Sequence, residues 1–157
     1  MAEPATKPIK TALAYATDLL ARQEQSSAKL RAKLLRKGYG DAEADEAIAC
    51  LVERHYLDDA AACGRQFRFL YEESRQSVRQ ICAKLMQRGF PSSIVRECVP
   101  QDTDERERAA ALRTLELKFR PSADRRKMQA HLYRRGFDSS AIYAAIEAFW
   151  GGEGEME

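Results

Sequence analysis

The chain has 157 residues, and its 26 Lys and Arg stand against 24 Asp and Glu for a formal net charge of +2. That length suits one core or a few small units in a row, and the near-cancellation of charge excludes a partner chosen by overall electrostatics. The opening MAEPATKPIK carries no apolar stretch of signal-peptide type and the longest apolar run, AIACLV, is too short to cross a bilayer, so a soluble monomer in a reducing cytoplasm is expected.

The first predicted helix is set by Ala12, Tyr15 and Leu19. It gives way at Ser26-Ser27, residues that favour helix N-caps, to a second helix with Leu30 and Leu34 on one side. That helix ends in AKLLRKGY, Ala32 to Tyr39, and the same eight-position pattern returns as AKLMQRGF (Ala83 to Phe90) and AHLYRRGF (Ala130 to Phe137). In each, a basic turn precedes a Gly (Gly38, Gly89, Gly136), where a left-handed residue closes the last carbonyls and cations favour the negative helix end. The aromatic that follows is placed to fold back on the apolar face just completed.

Ile48, Leu51 and Val52 mark a third helix, and Asp58-Asp59 open the next by capping it rather than by binding a metal. Cys63, Phe67 and Leu70, then Val78, Ile81, Cys82 and Leu85, then Ile94, Val95 and Cys98 repeat the three-helix arrangement. After breaks at Pro91-Ser92 and Pro100 to Asp104 a third set follows. Its markers are Leu112, Leu115 and Phe119, then Met128 and Leu132 beyond Pro121-Ser122, and lastly Ile142, Ile146 and Phe149 beyond Asp138 to Ser140. Successive glycines are 51 and 47 residues apart, the size of a three-helix unit. The fold expected is all-α: three tandem three-helix units forming an elongated, curved array. They span 11–55, 56–100 and 101–150, between a flexible N-terminus at 1–10 and a flexible acidic tail at 151–157.

Charge is distributed by helix. Between Gln25 and Gly40 lie Lys29, Arg31, Lys33, Arg36 and Lys37 with no acid; between Ser74 and Arg96 lie Arg75, Arg79, Lys84, Arg88 and Arg96, again with none. From Lys118 to Phe137 there are seven Lys and Arg against Asp124 alone. Three basic middle helices could form a positive stripe for a polyanion or an acidic protein surface, or could simply be solvated. Reading of the major groove by the helix after each Gly is disfavoured, because in the first unit it carries Asp41, Glu43, Asp45, Glu46 and Glu53.

No catalytic constellation emerges. His55 and His131 lie in different units, and His131, in the slot of Lys33 and Lys84, reads as a surface residue. Cys50, Cys63, Cys82 and Cys98 are widely spaced, form no CxxC pair and read as reduced, packed thiols. The expectation is a protein that is not an enzyme and has no cofactor, catalytic residue or metal site.

From Tyr56-Leu57-Asp58-Asp59 onward a family resemblance takes shape. This segment resembles the YLDD signature of the RecX family of bacterial recombination regulators. YATDLLARQEQSSAKLRAKLLRKGY, VRQICAKLMQRGF and KMQAHLYRRGF are similar to that family's opening, middle and closing segments over roughly Ala12 to Trp150. Two departures fall in the second unit: YEESRQS at Tyr71 to Ser77, where the family carries a Gly-containing link, and Ala60 to Cys63, where it places an aromatic. The resemblance implies a regulator of recombination, repair and the SOS response that lies in the groove of RecA filaments on single-stranded DNA. It further implies restraint of ATP hydrolysis, strand exchange and co-protease action; weak, nonspecific single-stranded DNA contact is a secondary expectation that rests on the basic middle helices. The residues expected to supply the positive face are Lys29, Lys33, Arg36, Lys37, Arg79, Lys84, Arg88, Arg126, Arg134 and Arg135. The competing readings are a nonspecific single-stranded nucleic-acid binder, which would need exposed aromatic platforms, and a helical-repeat scaffold for another protein.

Overall fold

The computed structural model describes residues 10–154, and among them there are nine helices and no strand. Helices α1 (Ala12–Arg22), α2 (Ser27–Lys37) and α3 (Asp41–Glu53) pack on one another. So do α4 (Asp59–Glu73), α5 (Val78–Gln87) and α6 (Ser92–Cys98), and α7 (Asp104–Lys118), α8 (Arg125–Arg134) and α9 (Ser139–Gly154). Each triplet closes on its own apolar cluster: Leu30, Leu34 and Leu51 in the first, Phe67, Ile81 and Leu85 in the second, Leu115, Leu132 and Ile146 in the third. Small residues, Ala16, Ala44 and Ala47 in the first triplet and Ala110, Ala111 and Ala145 in the third, let these helices approach closely. Of the expected stripes, Val52 is the exception: it is exposed, and α3 buries Ala44, Ala47 and Leu51 instead.

The three glycines end the middle helices in the same way. Gly38, Gly89 and Gly136 have φ of 114°, 95° and 90°. The amides of Tyr39, Phe90 and Phe137 each donate 3.2 Å to a carbonyl five residues back, on Leu34, Leu85 and Leu132, which is the Schellman arrangement. The aromatic rings so placed are buried, at 6%, 3% and 3% exposure.

The glycines also join the units. Ser26 caps α2 by accepting from the Lys29 amide at 3.2 Å, and its hydroxyl donates to the Arg88 carbonyl at 2.6 Å in the next triplet. Ser77 repeats this one unit later, accepting from the Gln80 amide and donating 2.6 Å to the Arg135 carbonyl. A Cβ on Gly89 would lie 2.5 Å from Ser26 Oγ, and one on Gly136 would lie 2.8 Å from Ser77 Oγ. Each junction is completed by an acid from the following unit's first helix. The Ser27 amide donates to Asp59 at 2.9 Å, and the Val78 amide donates to Glu107 at 3.1 Å. Of the expected capping pair, Asp58 does cap α4, through the Ala61 amide, whereas Asp59 caps the neighbouring unit's helix.

Two expectations are corrected. His131 is 5% exposed rather than on the surface, because the Phe119 ring, just past α7, meets it edge-on at 5.5 Å. Residues 151–154, expected in the flexible tail, continue α9 as helix; the rest of that segment and the expected N-terminal arm at 1–9 lie outside the described residues.

Candidate interaction surface

The ten cations named from sequence are all accessible. Lys33 and Lys84 are half-buried and the other eight are exposed. Among the described residues none of the ten pairs with a carboxylate. Several of the chain's acids pair with other cations instead. Asp41 and Asp45 both bind Arg31, at 3.0 and 2.6 Å, and that hydrogen bond holds the Asp45 carboxyl below the usual carboxylate range. Lys37 lies over the Tyr15 ring at 5.5 Å, and the Arg88 guanidinium donates to Gln66 at 2.8 Å.

The ten do not form one stripe. At 3.6 residues per turn, Lys29, Lys33, Arg36 and Lys37 fall within about 100° of arc on α2, but Arg79 is about 140° from Lys84 on α5 and Arg126 is about 180° from Arg135 beyond α8. The junctions redistribute them. The Lys29 stem lies 3.1 Å from the Cβ position of Gly89, beside Arg88, and Arg79 lies 3.2 Å from that of Gly136, beside Arg135. Two clusters therefore straddle the joints between units, and Arg126 stands apart.

Arg126 instead lines a shallow, largely apolar groove of about 580 Å³ with Tyr133, Ile142 and Tyr143. Tyr133, Tyr143 and Trp150 are 75%, 62% and 37% exposed, and the Arg125 guanidinium lies over the Trp150 ring at 4.9 Å. Phe67 and Phe149 are core residues as expected, and these rings, with Tyr56 and Phe69, are exposed aromatics that sequence reading missed. Their signal was present: Tyr133 and Tyr143 fall off the apolar stripes of their helices.

Each junction also carries a groove. At the first, Glu24 accepts from both Nε and Nη2 of Arg65 and from Gln66 at 3.0 Å. Burial raises the Glu24 carboxyl, but the hydrogen bonds from Arg65 and Gln66 outweigh it and hold the group below its ordinary value. At the second junction Arg106 is half-buried as a staple, donating to the carbonyls of Tyr71, Gln76 and Ser74 and to Glu107 at 2.7 Å.

These features define an all-α protein of tandem three-helix units, joined cap to cap and carrying acid-free cations on its surface. Residues 12–51 match the family described as RecX, first three-helix domain. The chain is 39% identical over 139 residues to a regulatory protein RecX of Thermus thermophilus, covering 88% of this chain and 89% of that one. It is 32% identical over 148 residues to the regulatory protein RecX of Chlorobaculum tepidum, covering 91% of each. A crystal structure of RecX from Lactobacillus salivarius superposes with a TM-score of 0.78 at 19% identity, over 88% of this chain and 94% of that one. The chain belongs to the RecX family of regulatory proteins.

Proposed function

We propose that this protein binds RecA filaments on single-stranded DNA, lying in the filament groove, and lowers their ATP hydrolysis, strand exchange and co-protease action. It does so as a cytoplasmic monomer that catalyses no reaction of its own. The observation that carries this reading is the set of ten accessible cations with no acidic partner among the described residues, four of them, Lys29, Arg88, Arg79 and Arg135, at the two joints between units. A row of similar units spanning 11–55, 56–100 and 101–150 suits a target that is itself repetitive, because each engaged unit raises the effective concentration of the next. Acid-free arginines and lysines are the groups that an acidic protein surface or a bound phosphate backbone would recruit.

The test is titration into RecA with single-stranded DNA and ATP, following hydrolysis, with DNA alone as a binding control. Hydrolysis should fall as the protein is added; unchanged hydrolysis at saturation overturns the proposal. A second reading, direct single-stranded DNA binding, is favoured by Tyr133, Tyr143 and Trp150 beside Arg125 and Arg126, since exposed rings next to cations suit stacked bases. Tight binding in the DNA-only control would favour it.

A further inference from the structure

The two junctions are built on one plan but filled differently, and the difference specifies a ligand. Register between them is fixed by the capping contacts: Ser26 matches Ser77, and Asp59 matches Glu107. Stepping from those anchors, Arg113 occupies the place of Arg65, Arg75 that of Glu24, Thr114 that of Gln66 and Arg135 that of Arg88. At the first junction one carboxylate organises the groove. Glu24 binds Arg65, and through Gln66 it reaches Arg88.

At the second junction that carboxylate is replaced by Arg75. Thr114 turns its hydroxyl back to the Ala110 carbonyl at 2.9 Å, so nothing bridges to Arg135. Among the described residues Arg113 meets only Glu116, at 3.7 Å, beyond hydrogen-bond range and on an exposed helix surface where such a pair holds little. Glu72 and Glu73 share the rim, yet neither pairs with Arg75, Arg113 or Arg135 among the described residues. Space follows the same contrast: about 680 Å³ is open at the second junction, against about 170 Å³ beside Glu24 at the first.

We propose that the groove between the second and third units receives a glutamate or aspartate side chain from an acidic segment of a protein partner. The incoming carboxylate takes the position that Glu24 fills in cis at the first junction, accepting from Arg113 with Arg75 and Arg135 flanking it. The internal precedent is a side-chain carboxylate on a polypeptide, which favours a protein over a nucleic-acid backbone. This goes beyond the filament reading, because any partner presenting such a segment satisfies it.

The probe is a fluorescein-labelled peptide of alternating Glu and Gly, titrated by anisotropy against the full chain without RecA. The Gln-for-Glu peptide and a thymidine oligonucleotide serve as comparators. The Glu peptide should bind best. Arg75→Glu, which writes the first junction's acid into the second, should weaken it roughly tenfold or more, the loss of about one charge-assisted contact. It should also raise the thermal midpoint, because the introduced carboxylate pairs with Arg113 in cis. Arg113→Gln should weaken peptide binding similarly without that rise, while Arg65→Gln, at the filled junction, should leave it unchanged. Equal binding by wild type and Arg75→Glu, or preference for the oligonucleotide, overturns the proposal. Failure of the RecA assay leaves the peptide result standing on its own.

Discussion

Replacing Gly89 with alanine tests the junction in a single methyl group. The residue sits at φ 95°, so a side chain there carries left-handed strain of roughly 1–2 kcal/mol. The new Cβ would also lie 2.5 Å from Ser26 Oγ and 3.1 Å from the Lys29 stem. Ser26 is 1% exposed, with its hydroxyl held between the Arg88 carbonyl and the Lys29 amide, so it cannot swing aside without leaving a buried polar group unmatched, at about 1–3 kcal/mol. The sum is roughly 2–5 kcal/mol, or a fall of about 5–15 °C in thermal midpoint for a chain of this size. Gly64→Ala is the control: it lies inside α4 with nothing within 4 Å of its Cβ position, and should gain about 0.5–1 kcal/mol. Circular dichroism melting reads both. The double variant Gly89→Ala, Ser26→Ala should be less destabilised than the sum of the single changes, because removing the hydroxyl removes the clash. A midpoint for Gly89→Ala within a degree of wild type, or strict additivity with Ser26→Ala, would refute the junction as described.

Three further outcomes follow from particular side chains. The His131 imidazole is pushed below its ordinary value by burial, with Lys118, Arg135 and Arg134 adding repulsion. The unfolded chain therefore binds the proton more readily, and stability present above about pH 6.5 should decline as pH falls below it, a slope that His131→Gln should flatten in melts across that range. Arg106→Ala should cost about 3 kcal/mol in urea unfolding, since buried Glu107 and the carbonyls of Tyr71, Ser74 and Gln76 would lose the half-buried cation they share. Cys63, fully buried and pushed up to about 12 by burial and then by the neighbouring Cys98, whose sulfur is 3.7 Å away, should be the last of the four thiols to react with iodoacetamide in the native protein, as read by mass spectrometry.

What was legible in the sequence was local. A basic turn, a glycine and an aromatic specify a Schellman ending within six residues, and that signal located Gly38, Gly89 and Gly136 together with the burial of Tyr39, Phe90 and Phe137. The helices followed from apolar periodicity for the same reason. The second role of the glycines was not legible, because Ser26 and Arg88 are 62 residues apart and meet only once two units dock. Asp59 reads as an ordinary first-turn acid for α4, and nothing local says that it caps α2. His131 was misplaced by analogy with Lys33 and Lys84; the slot is equivalent, but in the third unit the Phe119 ring folds over it. The cations were identified by charge run, whereas their grouping depends on the joints, which bring Lys29 to Arg88 and Arg79 to Arg135 while leaving Arg126 beside Tyr133 and Tyr143. The acidic, glycine-rich ending reads as disordered by composition, yet α9 runs through Gly154.

The central claim is that acid-free cations make the contact with a filament. It is tested most directly by measuring affinity for RecA on single-stranded DNA for Lys84→Glu combined with Arg88→Glu, alongside Arg31→Glu, whose native arginine is already held by Asp41 and Asp45. The double reversal should weaken binding by about tenfold or more with helix content unchanged, and Arg31→Glu should do far less. Undiminished affinity in the double variant, or an equal loss from Arg31→Glu, would contradict the account.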